Sequence, residues 1–315
     1  MAQFELYKEV SVVPVRTKLF RNGNERGKSM QVAKGIVSLL KLKTVALLVV
    51  VALVSAIVAS RGMPWDMPAL AILMAAGALA CAGSGALNHY FDRDIDPLQV
   101  RTSRRPLPTG QIRPQMAAFV GAALIAISLA LSWQLNWIVT LFIGLGILTY
   151  VVIYTCWLKR RTTQNIVIGG LAGSWAVLSG WFTASHEVSI IPILLALTVF
   201  LWTPVHFWSL SLAHLSDYRR VGLPMLPVVA GEKKTILHIF TYAILSICAS
   251  GLLLLLGNFN SIYPVAWLLM AAIFCLSNLR LFRGRALEWA HVNYKISGLY
   301  LLVIFLAMGL DAALA

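Results

Sequence analysis

Residues Met67–Gly110, MPALAILMAAGALACAGSGALNHYFDRDIDPLQVRTSRRPLPTG, decide the fold class of this chain. The stretch begins with an apolar run long enough to cross a bilayer as a helix, which takes about 20 residues. The run ends at Asn88, Asp92 and Asp96, which are spaced four apart. A four-residue step on an α-helix returns to the same face, so the amide and both carboxylates are predicted to share one face. The stretch therefore predicts a membrane helix that ends in an oxygen-rich cation site.

The composition of the whole chain indicates an integral membrane protein. Of the 315 residues, 59% are hydrophobic and 12% are charged, and the mean hydropathy is +0.79. Soluble domains carry about 25% charged residues. Continuous apolar runs favour helices over barrel strands, which would alternate with a period of two. Nine runs are long enough to cross, near residues 44–60, 67–90, 115–135, 137–157, 165–185, 189–213, 235–256, 261–281 and 292–311.

The basic residues predict the orientation of these helices. Of 26 Lys and Arg, 25 fall in the N-terminal segment and in the loops after the second, fourth, sixth and eighth runs. Only Arg61 falls on the opposite side. Because basic loops remain in the cytoplasm, we expect a multi-pass protein of the cell (inner) membrane with a cytoplasmic N-terminus and an external C-terminus. Topology, the lipid bilayer and an anionic substrate account for the net charge of +14, and no nucleic-acid partner is expected.

The predicted fold class is all-α, a polytopic membrane protein with nine transmembrane helices bundled around a central cavity that opens to the cytoplasmic side. Residues 1–35 are predicted to form a basic cytoplasmic tail, and residues 36–315 a single transmembrane domain. Lys34, Lys41 and Lys43 stand among apolar residues where the tail meets the first run. This pattern suits a helix lying at the membrane surface, and the simpler alternative is that these lysines only anchor the first helix.

The loop that contains Asp92 and Asp96 also carries basic residues. It continues into Arg101 and Arg105 and ends in the turn PLPTG. Carboxylates alone bind a divalent cation and guanidiniums alone bind phosphate, whereas together they fit a magnesium-bridged diphosphate. The rival interpretations are a solvated helix end and simple ion pairs. Carboxylates beside a bilayer are costly unless paired, metal-bound or solvated, which favours a functional site.

Two further loops add charged candidates. Lys159 and Arg160 follow the fourth run, and Asn165 opens the fifth, where a helix N-terminus favours anions. Plain topology is the alternative, because any cytoplasmic loop tends to be basic. Asp217 lies in the sixth loop beside a basic pair and is the candidate for a second cation position, but no acid stands three or four residues away from it.

His206 is an intramembrane histidine, two residues after Pro204 in the sixth run. An ionisable side chain inside a membrane is costly and marks a candidate functional residue. Three roles remain open: a contact to a bound porphyrin, a base in the cavity, and a hydrogen bond to a backbone carbonyl freed by Pro204. His89 and His214 lie nearer the interface and are expected to be solvated.

Three motifs follow one another in an order typical of one family. They are NHYFDRDID with RTSRRPLPTG, then YTCWLKRRTTQNIVIGG, then WTPVHFW with DYRRVGLPMLPVV. On these motifs the chain resembles the haem O synthases (protohaem IX farnesyltransferases), a branch of the intramembrane aromatic prenyltransferases, over about residues 36–310.

The resemblance implies a reaction and a role for each matching residue. A farnesyl group would pass from farnesyl diphosphate to a vinyl group of protohaem IX (haem b), here a substrate, and give haem O with Mg²⁺-assisted loss of diphosphate. A haem A synthase or the assembly machinery of a terminal oxidase is the implied partner. The implied roles are catalysis by Asp92, Asp96 and Asn88; metal binding by the same three with Asp217; diphosphate binding by Arg101, Arg105, Lys159 and Arg160; and acceptor contact by His206, Trp202, Trp208 and Tyr154.

Two other functions remain open from the residues alone. A sister enzyme would prenylate a different aromatic acceptor, and a transporter would move an anionic solute. Asp92 and Asp96 favour an enzyme over a transporter. Transporters also tend to show inverted repeats, and no convincing internal repeat is present in the sequence.

Overall fold

The computed structural model describes residues 34–283 and 286–314. The predicted tail, residues 1–35, therefore lies almost entirely outside the described residues. The described ranges contain no strand, and each of their long helices overlaps one of the apolar runs. The long helices are α1 (Leu42–Ala59), α2 (Met67–Phe91), α3 (Pro114–Trp133), α4 (Trp137–Leu158), α5 (Asn165–Ala184), α6 (Ile190–Ala213), α7 (Gly231–Leu256), α8 (Ile262–Phe282) and α9 (Ala286–Ala313).

Eight helices in the described part of the chain, α2 to α9, are long and apolar enough to cross a membrane. The apolar part of α1, Thr44–Ala59, is shorter. At 1.5 Å per residue it spans about 24 Å, whereas the hydrocarbon core of a bilayer is about 30 Å thick. The chain is thus an all-helical, multi-pass membrane protein.

The helices form a closed ring. Each helix packs against the next one in sequence, and α9 returns to pack against α1. Additional contacts of α1 with α5 and of α6 with α9 place these four helices in the middle of the bundle. Helices α2, α3 and α4 lie on one side of them, and α7 and α8 on the other.

Local sequence signals explain where several helices begin. The side chain of Asp66 accepts a hydrogen bond from Ala69 N (2.9 Å) and caps α2, and Asn136 accepts one from Val139 N (2.8 Å) and caps α4. Pro114 opens α3, at a position where the missing N–H costs nothing. These caps set the ends of the helices that carry the site.

A glycine allows α1 and α5 to cross at close range. A Cβ atom added at Gly180 would lie 2.0 Å from the carbonyl oxygen of Ala52. Only glycine fits there, as is common where membrane helices pack closely. This contact holds together two walls of the cavity described below.

The end of the bundle opposite Asp92 is held by a buried carboxylate on α9. Asp311 accepts hydrogen bonds from Asn260 N (2.6 Å) and Tyr263 N (3.0 Å) and pairs with Arg61 (3.2 Å). Arg61 also donates to the carbonyl of Gly257 (2.8 Å). The arrangement joins the end of α1, the connection between α7 and α8, and the end of α9.

Candidate functional site

The three spaced polar residues lie at the C-terminal end of α2. The helix stops at Phe91, earlier than the spacing predicted, and Asp92 is its C-terminal cap. The following turn keeps a helical register, because Asp92 N donates to Asn88 O and Asp96 N donates to Asp92 O, each at 2.9 Å. Asn88, Asp92 and Asp96 are 4%, 1% and 2% exposed, so a solvated helix end is excluded.

The amide of Asn88 is held on both sides. Its Oδ1 accepts from Lys41 Nζ (2.6 Å), and its Nδ2 donates to Asp92 Oδ2 (2.8 Å) and Thr155 Oγ1 (3.2 Å). The Thr155 hydroxyl donates its single hydrogen to the carbonyl of Tyr150 (2.8 Å), so towards Asn88 it only accepts. This fixes which end of the amide faces Asp92.

Both carboxylates are paired with cations. Lys159 forms a buried ion pair with Asp92, and Arg105 Nη1 donates to both oxygens of Asp96 at 2.8 and 2.9 Å. With Lys41, three cations face two carboxylates. Together with Asn88 these side chains are the charged cluster: Lys41, Asn88, Asp92, Asp96, Arg105 and Lys159.

Burial makes charge costly in the charged cluster. Burial, together with the nearby charges of Arg105 and Lys159, lowers the pKa of Lys41 to about 7. Burial also lowers the pKa of Lys159, and Asp92 opposes this effect. The pKa of Asp96 is raised by burial, with Arg105 acting against the shift. A diphosphate bound together with a divalent cation would compensate these buried charges, because it would bring negative charge to the lysines and positive charge to the carboxylates.

The second half of α4 brings three side chains to the cluster. Leu148–Leu158 is π-helical, and Lys159 N donates to the carbonyl of Tyr154, five residues back, at 2.8 Å. Tyr150 and Thr155 contact the cluster members Lys41 and Asn88, and Lys159 is itself a member. π-Helical segments are rare and are often found at functional sites.

The donor set fits a magnesium ion that also takes ligands from a substrate. Asp92 Oδ1 is buried and has no hydrogen-bond partner among the described residues. Within residues 34–283 and 286–314, no three His, Cys, Asp or Glu side chains are placed to hold a metal ion together. Mg²⁺ is usually held by one or two carboxylates, several waters and substrate phosphates, so Asp92 and Asp96 are a sufficient protein contribution.

The remaining loop candidates lie around the cluster. The backbone N–H of Arg101 donates to Asp217 Oδ2 (3.2 Å), which brings the sixth loop against the second, and Asp217 is buried. Arg160 instead forms a two-pronged pair with Asp94 at 2.6 and 2.7 Å on the exposed surface. This hydrogen bonding lowers the pKa of Asp94. Arg160 is thus engaged outside the charged cluster.

An apolar cavity opens from the charged cluster into the bundle. It lies among α1, α2, α4 and α5 and has an empty volume of about 740 Å³, including its open mouth. Lys41 and Tyr150 form its polar end, with Nζ and the phenol oxygen 3.3 Å apart. The walls beyond them are mostly small or aliphatic, and the far end is reached at Ala52, Gly77 and Phe142. The cavity has the shape and chemistry for a hydrocarbon chain.

His206 lies in the other half of the bundle, between α6 and α9. It is half-buried and stacks between Trp202 and Tyr294, with ring centroids 4.6 and 4.3 Å away. Its Nδ1 lies 2.9 Å from Ser297 Oγ, and that hydroxyl donates to the carbonyl of Tyr294 (2.7 Å). Since serine has one hydrogen, His206 must be the donor through Nδ1, which leaves Nε2 as an acceptor.

The four candidate acceptor contacts do not form one group. Trp202 and His206 share a face of α6, whereas Trp208 turns towards α7 and contacts His238 and Tyr242. Tyr154 stacks with Tyr150 at 5.7 Å, on the side of the charged cluster. The structure therefore divides the set between two regions.

Two residues near the cluster were misjudged from the sequence. Lys41 does more than anchor α1, because its ammonium group contacts Asn88. Its backbone has a φ of 49°, uncommon outside glycine, and no sequence signal predicts this. The expectation that His89 is solvated was wrong: it is 2% exposed, and neither ring nitrogen has a partner within the described part of the chain.

The sequence of the chain is similar to those of known prenyltransferases. A model of the UbiA prenyltransferase family matches residues 48–308. The chain is 39% identical over 299 residues to "Protoheme IX farnesyltransferase" of Symbiobacterium thermophilum, covering 94% of this chain and 100% of the relative. It is 40% identical over 289 residues to "Protoheme IX farnesyltransferase 1" of Cenarchaeum symbiosum, covering 89% and 96%.

Solved structures share the fold. A digeranylgeranylglyceryl phosphate synthase superimposes with a TM-score of 0.74 at 19% identity, covering 90% of this chain and 99% of that one. A UbiA homologue from Archaeoglobus fulgidus, bound to GPP and Mg²⁺, gives a TM-score of 0.68 at 19% identity, covering 87% and 99%.

Proposed function

The chain belongs to the UbiA prenyltransferase family, and from this premise we propose that it transfers the farnesyl group of farnesyl diphosphate to a vinyl group of protohaem IX, giving haem O. The observation that carries the donor half of this proposal is the position of the charged cluster at the mouth of an apolar cavity. The acceptor half is supported by relatives of about 40% identity that are named protoheme IX farnesyltransferase.

The charged cluster would bind the diphosphate. Lys41, Lys159 and Arg105 supply donors for its oxygens, and Asp92 and Asp96 would hold Mg²⁺, with Asp92 Oδ1 available as a ligand. When bound, Mg²⁺ neutralises negative charge on the phosphate oxygens. The UbiA homologue bound to GPP and Mg²⁺ supports this arrangement for the fold. Preorganised cations aimed at a departing anion are usually the largest contribution to lowering such a barrier.

The farnesyl chain would extend into the cavity, away from water. The bond between C1 and the diphosphate oxygen breaks, and its electron pair leaves with the diphosphate. The π electrons of the haem vinyl group then form the new bond to C1, and water adds to the resulting cation with loss of a proton. Tyr150 at the mouth, with Tyr154 stacked on it, would stabilise positive charge on the allyl group.

His206 is the proposed contact to the acceptor porphyrin. Its Nδ1–H is committed to Ser297, so its Nε2 lone pair can face a haem iron. Histidines that bind metals almost always donate the other ring N–H to a neighbouring group, as here. Trp202 stacks on His206 and would extend the flat apolar surface. Trp208 and Tyr154 stay predicted acceptor contacts.

The finer topology and cellular role are part of the same proposal. Residues 36–315 form one domain with nine crossings, and the charged cluster faces the cytoplasm of a cell whose inner membrane holds the protein. The shorter α1 then crosses with the help of Lys41 and Lys34 near the interface. Asp217 would offer a second metal position beside Arg101, and Arg101 would add positive charge near the diphosphate. Arg160 stays a predicted diphosphate contact, and it would have to leave its pair with Asp94 to bind there. The haem O product is passed to a haem A synthase or a terminal oxidase.

The proposal is tested with membranes from cells that express the chain. They are incubated with protohaem, farnesyl diphosphate and Mg²⁺, and the extracted haems are analysed by mass. We expect a haem that has gained one farnesyl group and one hydroxyl group, and no such product with EDTA. Parallel incubations with 4-hydroxybenzoate test a different acceptor. Prenylated 4-hydroxybenzoate without modified haem would overturn the assignment of the acceptor.

A further inference from the structure

The depth of the apolar cavity follows from the lengths of helix that line it. Along α1 the lining runs from Lys41 at the mouth to Ala52, and along α4 from Tyr150 to Phe142. At 1.5 Å per helical residue, these stretches correspond to about 16 Å and about 12 Å. An isoprene unit advances the chain by about 4 to 5 Å, since carbon–carbon bonds are about 1.5 Å long. Three units span about 12 to 15 Å and match the depth, whereas four units span about 16 to 20 Å, which reaches or exceeds the longer of the two stretches.

The far end of the cavity is closed by packed side chains. Beyond Ala52 and Gly77, a buried cluster that includes Ala56, Leu73 and Val139 fills the space between the same helices. No lining residue in the described structure continues the cavity past this layer. A prenyl chain that enters the cavity would therefore stop at this layer, which is the floor of the cavity. The residues at the floor determine how long the prenyl chain can be.

Phe142 is the one aromatic side chain that lines the floor in the described structure, and Ile143 lies beside it on α4. The lining positions that the other helices contribute at this depth are Ala52, Gly77 and Ser179, which are all small. The Phe142 ring stacks on Trp175 (5.8 Å between centroids) and on Phe182 (5.4 Å), so it is held on two sides. A ring held in this way cannot move aside without losing both contacts.

Gly77, in contrast to Phe142, leaves empty space in the lining of the cavity. A Cβ atom added there would meet no heavy atom within 4 Å, so a larger side chain would enter the cavity without displacing the backbone. Gly144 on α4 is equally open but does not line the cavity. The chain therefore offers a matched pair of glycines, one inside the cavity and one outside it.

We infer that Phe142 sets the upper limit of the isoprenoid donor at three units, and that the absence of a side chain at Gly77 leaves room for the third. This inference rests on the proposed function, because it assigns the cavity to the prenyl diphosphate. It goes further by naming the residues that determine chain length.

The experiment compares geranyl, farnesyl and geranylgeranyl diphosphates with the wild type, Phe142→Ala and Gly77→Leu. The readouts are kcat/KM with protohaem for each donor and, without acceptor, the Kd of the corresponding non-hydrolysable thiolodiphosphates. Phe142→Ala should raise the geranylgeranyl-to-farnesyl ratio at least about tenfold, and Gly77→Leu should raise the geranyl-to-farnesyl ratio similarly, because even one methylene changes specificity by about tenfold in an apolar pocket. Ratios within one variant do not depend on how much of it is folded.

Two control variants test whether the shifts are specific to the floor of the cavity. Gly144→Leu and Phe119→Ala, the latter 75% exposed on α3, should leave both ratios at the wild-type values. Unchanged ratios in Phe142→Ala and Gly77→Leu, or an equal shift in Gly144→Leu, would overturn the inference. If the wild type transfers nothing to protohaem but the thiolodiphosphate affinities shift as expected, the acceptor proposal fails and the assignment of the floor stands.

Discussion

The ammonium group of Lys41 lies 2.6 Å from the amide oxygen of Asn88, although 47 residues separate them in the chain. Through Asn88 this contact continues to Asp92 and from there to Lys159. A single line of hydrogen bonds therefore joins the entry of α1, the end of α2 and the end of α4. The geometry of the proposed diphosphate site depends on all three helices at once.

Asp92→Asn should lower Mg²⁺-dependent prenyl transfer at least about a hundredfold, the loss typical when one group that stabilises charge is removed. The change removes the partner of Lys159 and the proposed Mg²⁺ ligand while keeping the size of the side chain. Steady-state rates with farnesyl diphosphate and protohaem measure the effect. Asp94→Asn is the matched control: the Asp94 side chain is 58% exposed and its ion pair is with Arg160 at the surface, so the rate of this variant should stay near wild type. Unchanged turnover in Asp92→Asn would refute the assignment.

Lys41→Met should raise the KM for farnesyl diphosphate about tenfold or more, because one charged hydrogen bond to the diphosphate is lost. Lys41→Arg retains the charge and should recover most of the affinity. Lys34→Met, at an exposed position before α1, controls for loss of charge near the membrane. Equal KM values for Lys41→Met and Lys34→Met would show that Lys41 only anchors the helix.

His206→Ala should weaken protohaem binding, followed by the haem absorbance, without changing the affinity for the donor. The physical reason is the loss of the Nε2 lone pair that Ser297 orients. His186→Ala, in an exposed position, is the control. A purely structural His206 would give the opposite pattern, with a lower melting temperature and unchanged haem affinity.

Asp311→Ala should lower the free energy of unfolding by about 3 kcal/mol, because it removes the carboxylate that pairs with Arg61 and leaves two backbone N–H groups without their acceptor. Arg61→Ala should cost less, since Asp311 keeps both backbone donors. Thermal unfolding in detergent measures both changes. The KM for the donor should stay constant in both variants, because this end of the bundle is remote from the charged cluster. A larger loss in Arg61→Ala than in Asp311→Ala would contradict this account.

Much of the fold was predictable from local sequence patterns. The nine apolar runs correspond to helices because the bilayer demands internally bonded backbone over about 20 residues, a requirement visible in any single run. The alignment of Asn88 with Asp92 and Asp96 was also correct, although α2 ends at Phe91. Hydrogen bonds four residues apart continue through the turn and preserve the register.

Contacts between distant segments were not predictable in this way. Arg160 follows Lys159 directly, yet it pairs with the exposed Asp94 while Lys159 reaches buried Asp92. The difference arises because consecutive residues at the end of a helix point in different directions, so that Lys159 faces the bundle and Arg160 faces the surface. The assignment of Lys41 to the site likewise required the left-handed backbone before α1.

The sequence by itself determined that this is a helical membrane protein with acids and bases in the order typical of a diphosphate-using prenyltransferase, because hydropathy, charge and motif spacing are properties of neighbouring residues. Only the tertiary structure decided which cations meet which acids, that His206 lies apart from Trp208, and where the apolar cavity ends. Those outcomes depend on how helices far apart in the chain pack against one another, which no local pattern encodes.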